Sequence, residues 1–62
     1  MPMTSKEMVK LLKENGFKET RQRGSHKSME NPVTGKFTVV PMHSRDLKKS
    51  TEQAILKQAG LK

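Results

Sequence analysis

Two histidines are the residues of this 62-residue sequence best suited to acid–base chemistry, and His26 is the stronger candidate. His26 directly follows the pair Gly24-Ser25, and three cations surround it in sequence: Arg21, Arg23 and Lys27. An imidazole can accept and donate a proton near neutral pH, and neighbouring cations attract phosphate groups. His26 could therefore move the proton of a ribose 2′-hydroxyl or protonate a leaving oxygen. The alternative interpretation is an ordinary surface histidine.

His43 is the second candidate, and it lies in the loop expected after the last strand. It is a possible secondary acid or base, a phosphate donor, or simply a loop residue. The amino terminus of the last predicted helix, with its free amides behind Ser50, offers another place for a phosphate. Besides the cations around His26, the predicted nucleic-acid contacts are Ser25 and a second basic cluster, Arg45, Lys48 and Lys49. A basic cluster of this kind is also common on a solvated face.

Several other kinds of site are excluded by the residue types present. The six acids are scattered, so no close pair suggests a magnesium site, and no histidine pair has helical zinc spacing. The sequence has no cysteine, which removes disulfides and thiolate zinc sites. We therefore expect neither a metal nor a cofactor. The only aromatic residues, Phe17 and Phe37, are expected in the core, so a base-stacking platform is not expected.

The charge balance points to a polyanionic partner. Thirteen Lys and Arg against six Asp and Glu give a formal charge of +7, which favours nucleic acid first, an anionic membrane second and an acidic protein third. The length predicts a single domain over residues 1–62 with a small core that a partner could stabilise. Unbroken apolar runs reach only three residues, at Ala54-Ile55-Leu56, so we expect no transmembrane segment and no signal peptide. The absence of cysteine fits a cytoplasmic protein.

The elements that must position His26 form an α+β arrangement in the order α-β-β-β-α. Hydrophobic periodicity, capping-box spacing at Thr4/Glu7 and Ser50/Gln53, and turn residues predict them. The predicted bounds are helix Ser5–Glu14, strands Phe17–Arg23, His26–Glu30 and Phe37–Val40, and helix Thr51–Gln58 with Ala54, Ile55 and Ala59 on one side. We expect a three-stranded antiparallel sheet with both helices on one face. Because side chains alternate along a strand, His26 and Met29 point to opposite faces of the sheet. If Met29 is buried under the helices, His26 lies on the face that the helices leave open.

Four segments, taken together, resemble the HicA toxins. They are Lys6–Gly16 with Phe17, the triplet Gly24-Ser25-His26 with Met29 three residues on, Val40–His43, and the final stretch Leu47–Lys49, Thr51 and Ile55–Leu61. The resemblance covers nearly the whole chain in order and with compatible spacing. The turn Asn31–Gly35 departs from the family in carrying few basic residues, and Ser50 stands where the family commonly has glycine.

The resemblance implies a double-stranded-RNA-binding-domain-like fold and metal-independent cleavage of messenger RNA, which inhibits translation. It carries the family's catalytic histidine onto His26 and implies neutralisation by a HicB antitoxin. The leading hypothesis is therefore a toxin endoribonuclease. A non-catalytic RNA-binding module of the same fold is the alternative, and a small DNA-binding protein is favoured only by charge.

Overall fold

Two helices and three strands make up the computed structural model, which describes residues 3–42 and 46–62. In chain order they are α1 (Ser5–Glu14), β1 (Lys18–Arg23), β2 (His26–Glu30), β3 (Phe37–Pro41) and α2 (Lys49–Gln58). This α-β-β-β-α order confirms the predicted α+β class and is consistent with a double-stranded-RNA-binding-domain-like fold. Neither of the helices described is long and apolar enough to cross a membrane.

Helix α1 has the bounds and the cap that its sequence predicts. The Thr4 hydroxyl accepts from the Glu7 amide at 3.1 Å, and the Glu7 carboxylate accepts from the Thr4 amide at 2.9 Å. This reciprocal pair satisfies amides that have no partner inside the helix. Gly16 follows the helix with φ of 92°, a conformation that glycine adopts without a Cβ penalty. Local chemistry therefore sets both ends of α1.

Helix α2 differs from its prediction at the start. It begins at Lys49, two residues before the predicted Thr51, and its N-cap residue Lys48 makes no capping bond with its side chain. Ser50 lies inside the helix, so the predicted Ser50/Gln53 capping box is wrong. Tertiary contacts fix the entry instead, because Leu47 is buried and its amide donates to the Met3 carbonyl at 2.7 Å.

The apolar side predicted for α2 is only partly buried. Ile55 and Ala59 are buried in the core, as the periodicity indicates, but Ala54 is exposed. Ala54 therefore lies outside the stripe that contacts the sheet. A hydrogen bond of 3.0 Å connects the helix to β3: the Thr38 hydroxyl donates to the Gln58 side-chain oxygen.

The sheet is antiparallel throughout, with strand order β1-β2-β3. Gly24 and Ser25 form the two-residue turn between β1 and β2, and Gly24 has φ of 59°, as tight hairpin turns require. A register shift between Glu19 and Arg21 marks a bulge in β1. Strand β3 runs one residue further than predicted and ends at Pro41.

One face of the sheet carries the core. Met29, Thr38 and Val40 are fully buried on it. Met29 and Val40 pack in a single cluster with Met8, Val9 and Leu12 from α1, Ile55 from α2 and Ala59 at the C-cap of α2. Both helices thus cover the same face, as predicted. The second face has no helix against it within residues 3–42 and 46–62.

The two phenylalanines have different environments. Phe17 is buried, as predicted, but Phe37 is half exposed, so the prediction of a core position for Phe37 is wrong. The reason is register: Phe37 pairs with Glu30, while the next residue, Thr38, pairs with the buried Met29. Alternation therefore directs Phe37 to the second face of the sheet.

Candidate functional site

The second face of the sheet, here called the open face, carries three cross-strand rows of side chains. Residues directly opposite each other in antiparallel strands point to the same side, so the register defines the rows. The rows are Arg23, His26 and Pro41; Arg21, Ser28 and Val39; and Lys18, Glu30 and Phe37. Three cations from β1 therefore line one side of the open face.

His26 is exposed at the start of β2, immediately after the hairpin turn. Met29 is fully buried, so the alternation places His26 on the open face as predicted. Its cross-strand neighbour is Arg23, at a Cβ separation of about 4.5–5.5 Å for such pairs, and Arg21 occupies the next row. The structure thus brings together the candidate acid–base residue and two of the predicted phosphate-binding cations.

The hairpin turn before His26 is hydrogen-bonded to the end of β3. The Ser25 carbonyl accepts a hydrogen bond from the Met42 amide, and Pro41 pairs with His26 in the sheet. Ser25 itself is partly buried beside His26. The other candidates near this point in the sequence, His43 and Arg45, lie outside the described residues.

Lys27 does not join the open face. It pairs with Val40 and points to the side that carries the helices, where only 16% of its side chain is exposed. Its ammonium group lies 2.9 Å from one carboxylate oxygen of Glu19, and Lys13 lies 2.6 Å from the other. Lys27 therefore takes part in an ion-pair cluster that joins α1, β1 and β2, and is separated from Arg21 and Arg23.

The ion pairs of Glu19 should make the stability of the fold depend on pH in the acid range. Hydrogen bonds from Lys13 and then Lys27 lower the pKa of Glu19 to about 2. A carboxyl group with a lowered folded-state pKa stabilises the fold above its ordinary pKa, and this contribution is lost as the pH falls from about 4.5 through about 2. Thermal unfolding of the wild type and of Glu19→Gln, followed from pH 5 to pH 2, should show a smaller loss in the variant.

The matched control for this measurement is Glu14→Gln, which removes an exposed carboxylate outside the cluster. It should keep the acid dependence of the wild type. Equal acid dependence of Glu19→Gln and the wild type would contradict the prediction, as would a Glu19 carboxyl resonance that titrates at the ordinary pH in an NMR experiment.

Lys48, the N-cap residue of α2, and Lys49, its first residue, lie at the same end of the molecule as His26 but in the helix layer. Lys48 and Lys49 are exposed at the start of α2. The preceding residue, Leu47, is bonded to Met3, and the nearby Ser5 hydroxyl donates to the carbonyl of Pro41, the neighbour of His26. This chain of contacts places the two lysines beyond the end of the sheet rather than on the open face.

Two other groups of exposed cations lie outside the predicted RNA contacts. Lys18 lies on the open face in the row of Phe37, a position that only the register reveals. Lys6, Lys10 and Lys13 recur at helical spacing on α1 and, with Val9 and Glu14, line a shallow groove. That spacing is visible in the sequence. The groove belongs to the helix layer and contains no histidine.

Metal-ligand clusters are absent from the part of the chain that the structure describes. No three His, Asp or Glu side chains among residues 3–42 and 46–62 are grouped as ligands would be. Around His26, the described open face offers the His26 imidazole, the Ser25 hydroxyl and the guanidinium groups of Arg21 and Arg23.

Comparison with known proteins identifies the family. The family model described as the HicA toxin of bacterial toxin–antitoxin systems matches residues 5–61, which include both helices and all three strands that the structure describes. No curated protein matches the chain. Membership implies a toxin that has an antitoxin partner. The resemblance drawn from the sequence motifs is thereby confirmed, and the chain belongs to the HicA family of bacterial toxins.

Proposed function

We propose that this toxin is an endoribonuclease that cleaves messenger RNA in the cytoplasm, inhibits translation and uses His26 as its catalytic residue. The observation that carries the proposal is the position of His26 on the open face, directly across from Arg23 and one row from Arg21. An accessible imidazole beside two guanidinium groups supplies both proton transfer and phosphate binding. Membership of a toxin family supports a damaging activity rather than a purely structural role.

The proposed reaction is an internal transfer within the RNA strand. Arg21 and Arg23 hold the phosphate, and the ribose 2′-hydroxyl loses its proton and attacks the adjacent phosphorus. The bond from phosphorus to the 5′ oxygen breaks, and that oxygen takes up a proton. His26 carries out one of these proton transfers. His43 is the secondary candidate for the other. The products are a 2′,3′-cyclic phosphate and a 5′-hydroxyl.

The proposed RNA contacts follow from where the structure places the cations. Arg23 pairs with His26, Arg21 occupies the next row and Ser25 precedes His26 in the hairpin turn, while Lys48 and Lys49 extend the basic surface at the same end of the molecule. Arg45 stays in the set from its sequence position alone. We leave Lys27 out, because it faces the helices and is paired with Glu19.

Cleavage should not require a divalent metal. The attacking group is supplied by the RNA itself and the proton transfers by imidazole, and the acids of the sequence are scattered. Purified toxin incubated with single-stranded RNA in EDTA should therefore cut it as fast as in magnesium. The product ends should be a 2′,3′-cyclic phosphate and a 5′-hydroxyl, which mass spectrometry distinguishes from a 5′-phosphate.

The same experiment separates this proposal from the two alternatives. Complete loss of cutting in EDTA, restored by magnesium, would contradict metal-independent catalysis. RNA that is bound but left intact under both conditions would favour the non-catalytic RNA-binding module. The basic open face would serve such a module equally well. Expression of the free toxin gives a cellular check, because a nuclease should arrest growth and degrade transcripts.

We further propose that the antitoxin is a HicB-like protein with an acidic surface. The charge of +7 on a 62-residue chain supports this partner, because opposite charge accelerates association and selects against other basic proteins. The open face is the proposed contact surface, and an antitoxin bound there would cover His26 and the arginines beside it. Neutralisation would then follow from blocked access of RNA to the site.

A further inference from the structure

Phe37 is a large apolar side chain that the fold does not bury completely. Half of it is exposed, on the same face of the sheet as His26. The neighbouring rows supply Arg21 and Arg23, and Lys18 lies in the row of Phe37 itself. An exposed aromatic ring on a sheet face that also carries cations is the combination that proteins use to bind single-stranded nucleic acid.

We propose that Phe37 and Glu30 form a subsite for one base of the RNA substrate, separate from the cleavage point. The inference rests on the proposed function and deepens it, because it assigns a residue that positions the substrate. The ring of Phe37 stacks on the base, and Glu30, its cross-strand neighbour, reads the edge of that base.

The register gives the distance between this subsite and His26. Phe37 is four residues from Pro41, the cross-strand partner of His26, and four residues of strand span about 13 Å. An extended RNA strand covers that length in about two nucleotides. Arg21 lies in the middle row, where it can contact an intervening phosphate. A strand running along the open face would thus contact His26, Arg21 and Phe37 in succession.

Glu30 gives the subsite a preference among bases. It is exposed, and within the described residues it forms no ion pair. An ionised carboxylate only accepts hydrogen bonds, so it favours a base edge that carries an amino group. Adenine, cytosine and guanine carry one, whereas the single donor on that edge of uracil, N3–H, lies between two carbonyl oxygens that repel a carboxylate. The subsite should therefore discriminate against uracil.

The composition of the chain provides a direct reporter for stacking. The sequence contains no Trp and no Tyr, so Phe37→Trp creates a protein with one indole, placed at the subsite. Its fluorescence should be quenched when it binds a single-stranded oligonucleotide whose cleavage is blocked by 2′-deoxyribose. Val33→Trp is the matched control, because Val33 is 90% exposed in the turn between β2 and β3 and lies outside the three rows. Its emission should change little.

Affinity measurements test the same contact in the unlabelled protein. Phe37→Ala should weaken binding of the blocked oligonucleotide about 5- to 150-fold, the range for loss of one base–aromatic contact. Phe37→Leu should also bind this oligonucleotide more weakly than the wild type, whereas Phe37→Trp, which keeps an aromatic ring, should bind it about as tightly as the wild type. An abasic nucleotide should be harmful at one position only, about two nucleotides from the cleavage point. Uracil there should bind less well than adenine, and Glu30→Gln, whose amide also donates, should remove the difference.

The outcomes separate this inference from the proposed function. If the wild type cleaves RNA but Phe37→Trp stays unquenched at saturation and Phe37→Ala binds normally, the subsite is wrong and the ribonuclease stands. Melting curves check that each variant is folded. If Phe37→Ala alone fails to fold, quenching in Phe37→Trp and the abasic scan on the wild type decide the matter. If the wild type neither binds nor cuts RNA, both proposals are overturned.

Discussion

Replacing His26 with alanine should reduce RNA cleavage by about 100- to 10,000-fold, the usual effect of losing a general acid or base. The fold should survive, because His26 is exposed and its removal opens no cavity in the core. Surface substitutions of this kind change stability by about 0.5 kcal/mol or less. Circular dichroism and thermal melting test the fold, and the cleavage rate of a defined RNA together with growth after expression tests the activity.

The comparison with other variants makes this result specific. Ser28→Ala removes another polar group from the open face, in the next row of the same strand, and should retain most of the activity. His43→Ala should have a milder effect than His26→Ala. A folded His26→Ala protein that still arrests growth would remove His26 from the mechanism and bring His43 forward. A variant that unfolds would instead identify His26 as a structural residue.

Elements governed by local chemistry could be predicted from the sequence. The ends of α1 follow from the Thr4/Glu7 cap and from Asn15-Gly16, and each involves residues within a single turn of chain. The β1–β2 hairpin follows from Gly24-Ser25 between two polar strands. Because alternation inside one strand is also local, the burial of Met29 was enough to place His26 on the open face.

Features that depend on contacts between distant residues could not be predicted. Both faces of Phe37-Thr38-Val39-Val40 carry apolar residues, so the sequence does not say which face is buried, and only the pairing with β2 exposes Phe37. The start of α2 is set by the contact of Leu47 with Met3, which overrides the capping pattern at Ser50.

The position of Lys27 on the helix side of the sheet also depends on contacts between strands. Its position beside His26 in the sequence suggested a shared role, yet adjacent residues of a strand point to opposite faces. Glu19, which binds Lys27, is eight residues away in sequence and becomes its partner only when β1 pairs with β2. A cluster of cations in a strand sequence therefore divides between two surfaces, and here the arginines share the face of His26.

Association with the antitoxin should slow steeply as salt is added. A toxin with a charge of +7 that meets an acidic partner gains electrostatic steering, which raises association rates by about 10- to 1,000-fold and is screened by ions. Stopped-flow or surface plasmon resonance measurements with a HicB-like antitoxin, from about 20 mM to about 500 mM salt, should show a fall in the association rate of that order. The dissociation rate should change much less.

Two double variants with equal charge change should show which surface the antitoxin approaches. Arg21→Glu with Arg23→Glu reverses charge on the open face, whereas Lys6→Glu with Lys10→Glu reverses it on the outer side of α1. If the open face is the contact surface, the arginine variant should associate more slowly and lose most of the salt dependence, because the local field guides the final approach. Equal effects of the two pairs would indicate steering by net charge alone. An association rate of the wild type that does not change with salt would contradict the electrostatic model. It would point instead to an apolar interface, for which Leu56, Val33 and Phe37 offer partly or largely exposed side chains.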